Sequence, residues 1–129
     1  MKQLLLILIC LFISSKSYSK GSWTQFYSND GGDYYLDEKR LKKRGNKVYV
    51  WTLSDYLEPI NSIFFSTIEY QTINCENKKF KDLKIIQCEK SMGNGKCRDD
   101  SYVLSGSNFT DRIIIPDGYY STLVNKVCR

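Results

Sequence analysis

The stretch from Pro116 to Arg129 places the strongest constraint on how this chain can fold. Its apolar positions Tyr120, Leu123, Val124, Val127 and Cys128 recur at i, i+3, i+4, i+7 and i+8, which puts them on one stripe of an α-helix. Pro116 and Asp117 suit a helix start, where a missing N–H is tolerated and a carboxylate faces the positive end of the dipole. Lys126 and Arg129 suit the other end. A short helix with a narrow apolar face is not stable alone, so it must dock, and the cysteine inside the stripe suggests that the docking is covalent.

The opposite end bears on compartment. Met1 and Lys2 precede an apolar run from Leu4 to Ile13, too short for a stable membrane anchor, and a serine-rich polar stretch follows. This reads as a signal peptide over residues 1–19, with Cys10 discarded inside it and residues 20–129 forming one exported domain, periplasmic, surface-located or secreted. Removing the first 19 of 129 residues leaves 110, enough for one core. It also removes Lys2 and Lys16, so 17 basic residues face 14 acidic ones, a net charge of +3 that is too small for a dedicated nucleic-acid binder. The chain has no histidine, which removes the usual base of a nucleophilic triad and the commonest ligand for zinc and haem iron. No enzyme, cofactor or metal is expected.

Four cysteines remain in the domain, Cys75, Cys88, Cys97 and Cys128, and an even number in an exported chain reads as disulfides with three formal connectivities. Period-two patterning predicts a first strand over Ser22–Tyr27, a turn over Ser28–Asp33 and a short second strand over Tyr34–Leu36. Asp37 to Gly45, dense in charge, is predicted as a helical turn or exposed connection. Asn46–Tyr56 is the clearest strand, with Val48 and Val50 on one face and Tyr49, Trp51 and Leu53 on the other, interrupted by Glu58-Pro59. Ser62–Cys75 and Phe80–Cys88 form two more strands around a polar hairpin, and Ser91–Asp100 is a loop. If Tyr102–Ile115 pairs back on the preceding strand, Cys88 and Cys97 can face each other across the hairpin mouth, leaving Cys75 for Cys128.

Trp23, Tyr34-Tyr35-Leu36-Asp37, Val48-Tyr49-Val50-Trp51, Asp55-Tyr56, Glu58-Pro59, Asn74-Cys75, Met92-Gly93-Asn94-Gly95-Lys96, Pro116-Asp117-Gly118 and Val127-Cys128 occur in an order and spacing that resembles the surface-adhesin E family of small exported bacterial proteins. The resemblance implies an α+β fold, an antiparallel sheet of about five to six strands with a C-terminal helix packed on one face. It also implies a disulfide from Cys75 to Cys128 as the tether. Host matrix proteins as partners, and a homodimer, are implied in the same way. Two departures stand out. Ile60 to Phe65 carries no charge where the family's adhesin is basic, and there is no lipidation cysteine.

The candidate partner-binding residues are the basic run Lys39, Arg40, Lys42, Lys43 and Arg44, and Phe64 and Phe65 in the apolar cluster with Ile60 and Ile63. Against these stands the plainer reading of the basic run as a solvated turn. Tyr34, Tyr35, Tyr49, Trp51 and Tyr56 are core by strand spacing, and only those on the face away from the helix are candidates for contact. Asp30, Asp33 and Asp37 lack calcium-loop spacing and read as turn residues, and Asp55, Glu58, Asp99 and Asp100 as loop acids. The function expected is non-catalytic binding at the cell envelope. The alternative is an inhibitor of a lytic enzyme or protease acting through the 92–97 loop.

Overall fold

The computed structural model describes residues 21–105, 112–114 and 118–129. The expected signal peptide, Pro116 and Asp117 lie outside them. Among the described residues eight strands form one antiparallel sheet: β1 (Trp23–Asn29), β2 (Gly32–Asp37), β3 (Lys42–Arg44), β4 (Lys47–Ile60), β5 (Phe64–Asn74), β6 (Lys79–Cys88), β7 (Cys97–Asp99) and β8 (Arg112–Ile113). The helix α1 spans Tyr119–Val127. The sheet is six strands wide, in the order β1-β2-β4-β5-β6-β7. The expected count is exceeded because β3 shares the β4 edge with β2, and β8 shares the β6 edge with β7.

The β1–β2 turn is shorter than composition suggests. The Asn29 side-chain oxygen accepts from the Gly31 and Gly32 amides at 2.8 and 3.2 Å, which closes the reversal over two residues. Gly32 is required by packing, since a Cβ there would stand 2.0 Å from the Asp55 carbonyl on β4. Pro59 does not end β4. The ladder breaks after Asp55 and resumes at Ile60 opposite Phe64, so the proline sits in an irregular stretch that needs no donor from it.

Long register runs between β4 and β5, such as Val48 opposite Ile73 and Leu53 opposite Ile68, fix which residues share a face. On one face Leu36, Val48, Val50, Ile73 and Phe80 pack against Leu123, Val124 and Val127 of α1. The predicted helical stripe is therefore the stripe that docks, and Leu123 and Val127 are 0% and 1% exposed. Cys128, just past the helix, is bonded to Cys75 at the end of β5 with Cα atoms 5.6 Å apart. On the other face Leu53, Ile68, Ile86 and Cys88 form a second cluster with Trp23, Tyr35, Trp51 and Met92. The Cys88–Cys97 bond lies here, and the two residues are direct partners across β6 and β7. Pairing back on β6 begins at Cys97 itself, and residues 101–105 form a 3-10 turn where a longer strand is expected.

Candidate binding surface

The face of the sheet turned away from α1 is built from odd-numbered positions of β4 and even-numbered positions of β5. Along it runs a row of four aromatic rings and two guanidinium groups. Arg40 stands over Trp23 at 5.7 Å and over Trp51 at 4.8 Å from the ring centroids. Trp51 stacks on Tyr70 at 4.7 Å with planes 25° apart, Tyr70 meets Tyr49 at 6.2 Å, and Arg44 lies 5.8 Å from the Tyr49 ring. The row follows from local structure. Trp51 and Tyr70 are direct cross-strand partners, so their rings stand side by side on the pleat. Each cation over a ring contributes on the order of 0.5–1 kcal/mol at such exposed sites and holds the next ring in place.

The segment from Asp37 to Arg44 is more ordered than its charge density suggests. Asp37, 2% exposed, caps a 3-10 turn over Glu38–Arg40 by accepting from the amides of Lys39 and Arg40 at 3.1 and 3.3 Å. Its second oxygen takes the Arg40 Nε at 2.6 Å. Arg40 is thereby aimed at the tryptophans. The turn feeds directly into β3, which pairs with the start of β4 as Lys42 opposite Tyr49 and Arg44 opposite Lys47. This pairing splits the basic run by face. Lys42 and Arg44 join Arg40 on the aromatic side, and Lys43 points the other way, donating to the Arg129 carbonyl at 2.5 Å. The expectation of an exposed connection is corrected in this respect, because a free edge of β4 recruits these residues as a strand.

The remaining predicted positions divide sharply. Phe64 is 4% exposed and lies under the Arg98 guanidinium at 4.8 Å, so it is core and offers no surface to a partner. Its strand neighbour Phe65 is exposed, as are Ile63 and Leu57 at the same end of the β4–β5 hairpin. Tyr34 and Tyr56 lie on the helix side, whereas Tyr35, Tyr49 and Trp51 are on the open face. Three of the loop acids, Asp55, Asp99 and Asp100, have structural partners. Asp55 accepts from Ser91 Oγ and the Met92 amide, Asp100 pairs with Arg98 at 2.7 Å, and hydrogen bonds from Ser101 hold the Asp99 carboxyl below its ordinary range. Asp33 accepts from Ser28 at 2.7 Å. The 91–97 loop is pinned to the sheet, since Ser66 Oγ accepts from the Gly93 amide at 2.8 Å and donates to the Lys90 carbonyl at 2.6 Å.

Sequence reading identified the basic run and the aromatic strand separately and missed Trp23 and Tyr70 as members of the same row. The signal that could have found them is period-two alternation carried across three paired strands, which needs the register.

The family model for Surface-adhesin protein E matches residues 23–129. Among solved structures, the chain is similar to Haemophilus influenzae protein E at 14% identity, covering 90% of each chain with a TM-score of 0.61. A second crystal form of that protein gives a TM-score of 0.63 at 14% identity, with 90% of this chain and 94% of the other covered. Protein E from non-typeable Haemophilus influenzae gives 0.59 at 15% identity over 82% and 74% of the two chains. No curated protein matches the chain.

Proposed function

The chain belongs to the surface-adhesin protein E family, and from that premise we propose that it binds a protein partner through the open face of its sheet. As a member of an adhesin family it is a non-enzymatic, exported or surface-located protein. Export through a signal peptide over residues 1–19 is part of the same proposal, and none of the helices among the described residues is long and apolar enough to cross a membrane.

The observation that carries the reading is the row Trp23, Arg40, Trp51, Tyr70, Tyr49 and Arg44. Trp, Tyr and Arg are the side chains that dominate binding hot spots, because they combine large apolar area with a polar handle and lose little freedom when already stacked. Lys42 and Lys47 flank the row by register, so the surface is positive and fits an acidic partner, host matrix proteins included. Self-association is assigned to a different place, the hairpin end where Leu57, Ile63 and Phe65 are exposed at 69, 50 and 37%. The inhibitor alternative rests on the rigidity of the loop clasped by Cys88 and Cys97. That loop is bonded to the sheet through Asp55 and Ser66, with Asn94, Gly95 and Lys96 as its exposed tip.

The proposal is tested by equilibrium binding of the purified domain to immobilised extracellular-matrix proteins across a salt series. Binding that weakens steeply as salt rises is expected, since screening acts on exposed charge. Absence of binding at low salt, or binding indifferent to salt, contradicts it.

A further inference from the structure

A cavity of about 240 Å³ opens on the helix side of the sheet, between the first turn of α1 and strands β2, β4 and β5. It is lined by Tyr34, Ser54, Tyr56, Glu69, Tyr119 and Tyr120. Four of the six are tyrosine, and a single carboxylate stands among them. The rings are set on different planes. Tyr119 meets Tyr34 at 70° with centroids 5.1 Å apart, and meets Tyr120 at 87° and 4.8 Å. Such an arrangement sets rings of several orientations around one small space, and a cation is drawn to their electron-rich faces. The walls are held from behind, Tyr120 by Phe80 at 3.8 Å and Tyr34 by Tyr27 at 5.7 Å.

The floor is a buried polar network. Gln71, 0% exposed, donates from Nε2 to Glu69 at 2.9 Å and to Asp82 at 2.5 Å, and lies 3.1 Å from the Tyr120 hydroxyl. Arg112 makes its ion pair with Asp82. The Gln71 amide thus bridges the two carboxyl groups, Glu69 on the cavity side and Asp82 on the side of Arg112. We propose that this cavity binds a small organic ammonium ion, with the tyrosine rings as its walls and the Glu69 carboxylate as its counter-ion. Its volume lies below the ~300 Å³ at which drug-sized pockets begin, so the ligand is the size of one cationic head group. The site is on the opposite side of the sheet from the open face and stands independently of the proposed partner surface.

The electrostatics couple this binding to a proton. Burial, and Asp82 beside it, raise the Glu69 carboxyl to about 8, against a smaller lowering by Arg112. Tyr56, Tyr119 and Tyr120 are raised mainly by their burial, with Glu69 adding to each, so these three rings stay neutral. A bound cation favours the carboxylate, so below pH 8 it must displace the Glu69 proton. Affinity then rises about tenfold per pH unit up to 8 and levels off above.

Calorimetric titration of the purified protein with choline, and with its uncharged isostere 3,3-dimethyl-1-butanol, tests this at pH 6.5 and 8.5. Choline is expected to bind at least tenfold more tightly than the isostere at pH 8.5, more than tenfold more tightly at pH 8.5 than at pH 6.5, and with proton release at pH 6.5. Glu69→Gln, which mimics the protonated acid and so keeps the fold, is expected to lose the preference for charge and the pH dependence together. Sedimentation with phosphatidylcholine vesicles that choline reverses assigns the ion to a lipid head group; choline binding without sedimentation assigns it to a free ion. Equal affinity for choline and its isostere, no binding by the folded parent at pH 8.5, or unchanged choline binding in Glu69→Gln overturns the proposal.

Discussion

Arg40 and Trp51 form the junction between the charged turn and the sheet: the guanidinium lies 4.8 Å from the indole centroid while its Nε holds the buried Asp37 carboxylate at 2.6 Å. One side chain thus links a capped turn, a strand and the aromatic row. Because Asp37 is 2% exposed and Arg40 44%, the acid anchors and the base is presented.

Asp37→Ala removes the cap and leaves Arg40 without its fixed partner. The expected loss is about 1–3 kcal/mol, the range for a cap plus a charged hydrogen bond. Urea unfolding measures it, and Arg40 should lose its fixed position over the indole in the same variant.

Replacing Cys75 and Cys128 together by Ala should lower stability by about 4 kcal/mol, the chain-entropy value for a closed loop of 53 residues. The 9-residue separation of Cys88 and Cys97 corresponds to about 3 kcal/mol. For a domain of this size the first loss is comparable to total stability, so the double variant should be largely unfolded at 37 °C by circular dichroism.

Leu123 is 0% exposed at the centre of the helix-side core. Leu123→Ala should cost about 2–5 kcal/mol through lost burial and an unfilled cavity. A loss below 1 kcal/mol in thermal or urea unfolding would mean that the helix docks weakly and that the disulfide alone retains it.

Glu69 has a folded-state pKa raised from 4.5 to about 8, so the native state holds a proton that the unfolded state releases. Stability therefore falls as pH rises between those values, by on the order of 1 kcal/mol per pH unit, and is unaffected by this group below 4.5. Glu69→Gln should match the parent near pH 4 and melt above it at pH 9. Melting curves at the two pH values check the sign.

The elements visible in the sequence are those whose signal is local. The stripe Tyr120, Leu123, Val124, Val127 carries its own period, and so does the alternation of Val48, Val50 against Tyr49, Trp51, Leu53; both are realised on the faces expected. The resemblance to the adhesin family implied the Cys75–Cys128 tether, and the structure has it. Lys42–Arg44 could not be read as a strand, since three consecutive charged residues have no apolar period and take their conformation from the free edge of β4. Phe64 looked like surface beside Ile63 and Phe65, yet the hairpin turn at Asn61 and Ser62 sets the face on which each lands, and that turns on two left-handed residues. Glu69 carries no signal in the sequence, because its environment joins the β5–β6 hairpin to residues of β2, β4, β8 and α1 that are distant along the chain.

The central claim is that partner binding lies on the open face of the sheet, and charge reversal of Lys42 and Arg44 tests it most directly. Both are exposed, so Lys42→Glu with Arg44→Glu should leave the fold intact, and Lys126→Glu on the helix serves as the control of the same chemistry. Binding to immobilised matrix protein should fall at least tenfold in the double variant and stay within twofold of the parent in the control. Unchanged binding in the double variant, or an equal loss in both, would contradict the account.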